Sequence, residues 1–213
     1  MGKILIIVFL LIITYVVYLL MVEKQNDKKR IILLMGASGS GKTTLGMFLR
    51  EFGIPELISH TTRKKREGER EGDPYHFITK EEFDKIDKVE ETEYAGNFYC
   101  LAKSEVEEKL KKFRRVYCIT DAYGMKHIRQ KYGDMVKVIY IDVTLPEMKA
   151  RMLSRGDSKE VIEQRIKNAI KNNELANGSK ADSIVRNDNL LKAKRDLLKE
   201  ISIKLYFKSL FKR

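Results

Sequence analysis

The 213-residue chain carries 42 Lys and Arg against 30 Asp and Glu, a formal charge of +12. That excess suits an anionic partner, whether a nucleotide or an acidic lipid face, while the absence of an interleaved aromatic and basic motif ranks nucleic acid last. Two cysteines, Cys100 and Cys118, exclude a disulfide-rich scaffold and have no metal-ligand spacing, so they read as reduced thiols.

Residues 4–22 form an apolar run without a charge, broken only by Thr14, Tyr15 and Tyr18. At ~1.5 Å per residue such a run is just long enough to cross a bilayer. Lys24, Lys28, Lys29 and Arg30 follow it, and the positive-inside rule then predicts a single-pass anchor with the body of the protein facing the cytoplasm. Residues 1–30 are accordingly read as anchor plus basic linker, with the lipid bilayer as a partner of residues 4–22.

The run Ile31-Ile32-Leu33-Leu34-Met35 reads as a buried parallel strand. It leads into Gly36-Ala37-Ser38-Gly39-Ser40-Gly41-Lys42-Thr43, which fits the phosphate-loop pattern G-x-x-x-x-G-K-[ST] in full, and Thr44 onward has helical spacing. Glycines allow backbone conformations closed to other residues, so successive N–H groups turn inward toward phosphate oxygens at a helix N-terminus. Lys42 is expected to reach the β- and γ-phosphates and the Thr43 hydroxyl to bind Mg²⁺. The segment 59–77 is polar, glycine-punctuated and too long for an idle turn. Within it Arg63, Arg66 and Tyr75 form a set suited to gripping phosphate, two guanidinium forks and a hydroxyl.

Thr79 to Glu82 and Ser104 to Glu107 read as capping boxes, each opening a short helix. Between them, residues 89–94 and 98–102 read as a hairpin turning at 95–97. Residues 116–121 form a buried strand ending in Asp121, a carboxylate at the carboxyl edge of a parallel sheet, where ligands gather. Another strand covers 136–143, and Thr144 caps the next helix, with Pro146 tolerated in its first turn. Arg151 and Arg155 share one face of that helix, Gly156-Asp157-Ser158 breaks it, and Arg165 follows on the next. The last strand, 183–185, precedes Asn187 and a helix from about Asn189. Residues 201–213 either continue that helix as a core-packing face or lie on a membrane as a basic amphipathic segment. His60, His76 and His127 read as isolated surface or loop residues. Strands alternating with helices predict an α/β fold with a doubly wound parallel sheet.

Taken together these pieces resemble guanylate kinase over roughly residues 31–198. The phosphate loop alone points only to a superfamily. Ser59-x-Thr61-Thr62-Arg63-x-x-Arg66-x-Gly68-Glu69-x-x-Gly72-x-x-Tyr75-x-Phe77, and Glu90 followed by Gly96-Asn97-Phe98-Tyr99, are far more specific. The resemblance implies a three-layer P-loop NTPase fold, with residues 31–205 comprising the catalytic domain, a small mixed acceptor lobe at about 59–113, a lid at about 151–165 and a basic tail at 206–213. It implies ATP and Mg²⁺ as donor and cofactor, and GMP or dGMP as acceptor. Residues 36–44 and Asn187 would hold ATP, Asn187 on the adenine side. Ser59 and Glu90 would read guanine, Asp121 would be the acidic residue at the base and metal side, and Arg63, Arg66, Tyr75 and Tyr99 would hold the monophosphate. Lys42, Arg151, Arg155 and Arg165 would carry phosphoryl transfer. Against the family pattern, Leu101 stands where a hydroxyl meets guanine, Ile119 where a second aspartate lies, and Pro74 where an aspartate precedes the tyrosine. A same-fold kinase with another acceptor, such as a ribose bisphosphate, and a tethered guanylate-kinase-like binding module are the open alternatives.

Overall fold

The computed structural model describes residues 2–26, 29–94 and 96–210. In chain order it runs α1 (Gly2–Asn26), β1 (Arg30–Met35), α2 (Lys42–Arg50), β2 (His60–Thr61), β3 (Arg70–Glu71), β4 (Pro74–Phe77), α3 (Lys80–Lys85), β5 (Lys88–Tyr94) and β6 (Asn97–Ala102). There follow α4 (Lys103–Lys112), β7 (Arg115–Ile119), α5 (Ala122–Tyr132), β8 (Val136–Asp142), α6 (Leu145–Ser154), α7 (Lys159–Lys171), β9 (Ser183–Arg186), α8 (Leu190–Ile201) and α9 (Ile203–Leu210).

Two sheets organise the described residues. The central one is parallel with strand order β7-β1-β8-β9, and the second is mixed with order β3-β4-β2-β6-β5. The continuous apolar runs of β1, β7 and β8 follow from burial on both faces of the central sheet. Alternate residues serve opposite layers: Ile31, Leu33 and Met35 pack toward α4 and α5, while Ile32 and Leu34 pack toward α2 and α8. This is the expected three-layer α/β arrangement. It brings the carboxyl ends of β1 and β7 side by side, Leu34 pairing with Ile119, so the loop after β1 and Asp121 after β7 share one edge.

Local signals explain most boundaries. Thr79 with Glu82 and Thr144 with Glu147 form complete capping boxes, and Asn189 caps α8 by accepting from the Lys192 N–H. The box expected at Ser104 does not form. There the strand β6 runs straight into α4, Ala102 takes the cap position, and the Lys103 N–H donates to the Asp87 carbonyl at 2.8 Å. In the β5–β6 hairpin, Ala95 lies outside the described residues. The expected continuation beyond α8 breaks at Ser202. Leu205 and Tyr206 of α9 pack against the α2–α8 layer, and residues 211–213 lie outside the described residues. His60 and His76 are not isolated: their strands pair in parallel and their rings stack with centroids 4.7 Å apart.

The anchor expected over residues 4–22 is not supported. Within α1 side chains are described for residues 6–18, and those of residues 4–5 and 19–22 lie outside the described residues. Among the described residues no helix is long and apolar enough to cross a membrane. That finding overturns the bilayer contact of residues 4–22 and the single-pass, cytoplasm-facing localisation.

Candidate active site

The loop between β1 and α2 has the form that an anion cradle requires. Gly36, Gly39 and Gly41 hold φ values of 150°, 81° and 95°, and a Cβ on Gly36 would come within 2.5 Å of the Ile141 carbonyl oxygen. On Gly41 a Cβ would lie 2.4 Å from Asn187 Nδ2. Both positions therefore need glycine for space as well as for conformation. Ala37 and Ser40 are buried beneath the loop, and Thr43 and Thr44 are exposed on the first turn of α2. Lys42 Nζ folds back to donate to the Gly36 and Ala37 carbonyls at 2.7 and 2.9 Å. Burial pulls its pKa down to about 8, opposed by the nearby charge of Glu174.

Below the loop lies a brace. Asn187 Nδ2 donates to the Ser40 carbonyl at 2.7 Å, Arg151 Nη1 donates to the same oxygen at 3.1 Å, and Arg151 Nη2 donates to the Asn187 carbonyl. Asn187, only 2% exposed, thus sits under the loop against its main chain. Arg165 reaches the loop from α7, its Nη1 3.4 Å from Ser38 Oγ. Arg155 does not reach it. Asp157, at the break between α6 and α7, holds Arg155 at 3.2 Å and lies 3.8 Å from Arg165.

A cavity of about 650 Å³ opens between the two sheets, lined by Ser59, Arg63, Arg66, Glu69, Pro74, Tyr75, Glu90, Thr92, Tyr99, Ile119, Thr120, Asp121 and Tyr123. All seven residues expected on the acceptor side converge here. The rings of Tyr75 and Tyr99 meet edge to face at 5.5 Å, and the Arg63 guanidinium lies 5.6 Å from the Tyr75 centroid. Arg63 Nη2 is held by both Glu69 oxygens, at 2.8 and 3.0 Å, and Glu69 also accepts from the Arg66 N–H. Glu90 is half-buried, and its pKa rises to about 7, first through burial and then through the charge of Asp121. Asp121 caps α5, accepting from the Tyr123 and Gly124 N–H groups at 3.0 and 2.9 Å. The donor-side cavity, about 340 Å³ and bordered by Gly36, Ser38 and Lys42, shares Ile119, Thr120 and Asp121 as its wall with this one.

A family model described as guanylate kinase matches residues 28–203 of this chain. The chain belongs to the guanylate kinase family. A guanylate kinase of Fusobacterium nucleatum is 40% identical over 169 residues, covering 76% of this chain and 90% of that one. One from Haemophilus influenzae is 34% identical over 172 residues, 75% of this chain and 81% of its own. The crystal structure of guanylate kinase from Anaplasma phagocytophilum aligns with a TM-score of 0.57 at 20% identity, over 87% of this chain and 88% of that chain. That last likeness is one of fold.

Within this guanylate kinase family member, sequence reasoning missed four polar side chains at the site. Glu69 was legible as part of the 59–77 pattern, but its grip on Arg63 was not. Asp157 carried a signal in its place at the helix break. Thr120 stood beside the strand-ending Asp121. Glu174, which accepts from the Ser38 N–H at 3.3 Å, carried none. Leu101 differs from expectation: it is fully buried among core residues and does not line the cavity.

Proposed function

We propose that this guanylate kinase family member transfers the γ-phosphoryl group of ATP to the phosphate of GMP or dGMP, in line, giving ADP and GDP or dGDP. The observation that carries the reading is the common wall of Ile119, Thr120 and Asp121 between the phosphate-loop cavity and the cavity lined by Arg63, Arg66, Tyr75 and Glu90. Two nucleotides seated on either side of that wall would meet phosphate to phosphate.

The acceptor oxygen is already anionic, so the reaction needs no general base. Catalysis is positioning plus neutralisation of charge on the transferring group. Lys42 leaves the Gly36 and Ala37 carbonyls for the donor phosphates, and Arg165 supplies a second cation from the lid. Arg151 and Asn187 act through the loop by bracing the Ser40 carbonyl, and Arg155 closes with the lid. Arg63, Arg66, Tyr75 and Tyr99 hold the acceptor phosphate once Glu69 yields Arg63. Glu90, ionised, accepts from the guanine N1–H and amino group, with Ser59 and Asp121 beside it. Adenine would present an acceptor at N1 and leave a buried carboxylate unpaired, a heavy penalty.

Thr43 is the residue that would hold Mg²⁺. Among the described residues no cluster of His, Cys, Asp or Glu could hold a metal. A lone exposed hydroxyl fits a cation that keeps most of its ligands as phosphate oxygens and water, and when bound it supplies charge neutralisation at the phosphates.

The test is a coupled ADP-release assay over GMP, dGMP, AMP, UMP and ribose 1,5-bisphosphate with the full chain. Turnover restricted to the guanosine nucleotides is expected. Turnover only with another acceptor, or with none, would overturn the reading.

A further inference from the structure

The donor side of the site holds a carboxylate that phosphoryl transfer does not require. Glu174 opens a 3₁₀ turn, Glu174–Lys180, between α7 and β9. Its main chain is pinned, the Glu174 carbonyl accepting from the Tyr140 hydroxyl at 2.8 Å. Asn173 before it adopts the left-handed region at φ 52°, which turns the chain off the α7 axis toward the phosphate loop. The half-buried carboxylate then accepts from the Ser38 main-chain N–H through Oε2 at 3.3 Å. It lines the donor cavity beside Gly36, Ser38 and Lys42. Cations at the loop include Lys42, folded onto the loop's own carbonyls, Arg165, near Ser38 Oγ, and Arg151, engaged with the Ser40 carbonyl.

Main-chain N–H groups of such a loop are anion donors, and the one at Ser38 is already taken by an anion. The charge of Glu174 also acts on Lys42, favouring its protonated form against the burial that disfavours it. A carboxylate tied to the loop N–H and felt by the loop lysine stands where part of a polyphosphate belongs.

We propose that Glu174 is an internal anion that occupies the Ser38 end of the phosphate loop in the absence of donor, is displaced by the incoming polyphosphate, and thereby sets donor affinity. The proposal rests on reading the loop as the ATP site. The donor must break a charge-assisted hydrogen bond and bring like charges together, which weakens its binding about tenfold relative to a neutral side chain. The same contact gives the loop a partner when ADP leaves, so product release is faster than it would otherwise be.

The test is calorimetric titration of ATP–Mg²⁺ and of inorganic tripolyphosphate into the full chain and into its Glu174→Gln and Glu174→Asp variants. Burial draws Lys42 down to about 8 and the charge of Glu174 opposes this, so the titrations are run at both pH 6 and pH 6.5 to show that Lys42 stays charged in the variants as well. Glu174→Gln is expected to bind both ligands about tenfold more tightly and to release ADP more slowly in stopped flow. Glu174→Asp, whose shorter side chain draws the carboxylate back from Ser38, is expected to fall between and serves if the glutamine variant folds poorly. Equal or weaker binding by the variants, with wild-type binding intact, overturns the proposal and leaves the ATP site standing. A wild-type chain that binds neither ligand overturns the site reading and the proposal together.

Discussion

Glu90 and Asp121 face the same cavity, and the charge of Asp121 adds to burial in raising Glu90 to about 7. His127 opposes this shift, and Glu91 adds weakly to it. Guanine offers Glu90 two donors, so GMP binds the ionised carboxylate and expels a proton. The affinity for GMP should therefore rise as pH increases through about 7, by about tenfold between pH 6 and pH 8 for a single group of that pKa. For the unliganded fold the sign is opposite. The native state holds this proton more tightly than the unfolded chain, so ionising Glu90 lowers stability as pH rises from about 4.5 toward 7. Fluorescence titration of GMP across this range checks the first claim. Glu90→Gln retains the substrate's own phosphate titration and should lose the remainder, and Asp121→Asn should move the midpoint down.

Lys42 supplies the other limb. With its pKa drawn down to about 8 by burial, the free enzyme loses the ammonium as pH rises past that value. The profile of kcat/KM for ATP should fall above about pH 8, whereas kcat should hold to higher pH because bound phosphates keep Lys42 charged. Lys42→Ala should reduce kcat by a factor of roughly a hundred to a thousand, the loss typical of removing one transition-state charge partner, with the thermal midpoint little changed. Steady-state kinetics between pH 6 and pH 9.5 would show whether the two limbs appear.

The parts of this molecule legible in its sequence are those whose cause is local. The phosphate loop is specified by glycines at fixed spacing, the α3 and α6 starts by side chains three residues from their caps, and the buried strands by unbroken apolar runs. Asp121 could be placed at the sheet's carboxyl edge because β7 ends there. What escaped is what the fold assembles from distant segments. The Ser104 box does not form because β6 runs directly into α4: Ala102 takes the cap position, the Lys103 N–H is bound to the Asp87 carbonyl, and Ser104 already lies inside the helix. Arg151 and Asn187 looked like ligand residues, yet both are engaged with the Ser40 carbonyl, a contact that only the packing of α6 and β9 beside the loop creates. Apolarity over 4–22 suggested a membrane span, whereas among the described residues no helix is long and apolar enough to cross a membrane.

Gly46 offers a test of packing behind the phosphate loop. A Cβ there would lie 2.7 Å from Cε2 of the Tyr117 ring and 3.1 Å from its hydroxyl. Tyr117 cannot give way easily, being fully buried with its hydroxyl donating to Glu56 at 2.8 Å and accepting from Arg50 Nε at 3.1 Å. Gly46→Ala should therefore destabilise the protein by about 1–2 kcal/mol, overpacking outweighing the ~1 kcal/mol that alanine gains in a helix interior. Urea unfolding reads the difference. In a Tyr117→Leu background the penalty should disappear, and persistence of the full cost there would show that the ring is not its source.

Leu101 tests whether the acceptor pocket is damaged or merely different. The family pattern places a guanine-facing hydroxyl at this position, which suggests Leu101→Ser as a restoring change. In the structure Leu101 is 0% exposed and belongs to the core cluster with Val89, Val106, Leu110 and Met125. Its β5 partner is Glu90, so the pair joins the cavity wall to the core beneath it. Serine here would leave a void and a hydroxyl in apolar surroundings, costing about 2–5 kcal/mol. The variant should unfold at markedly lower denaturant and show no gain in kcat/KM for GMP. Thr92, which lines the cavity two residues along β5 from Glu90, is a position where hydroxyl chemistry can matter without disturbing the core. Thr92→Ala should leave stability within ~0.5 kcal/mol of wild type while altering the ratio of GMP to AMP turnover. A Leu101→Ser protein that is stable and faster with GMP would instead place the missing hydroxyl where the family pattern has it.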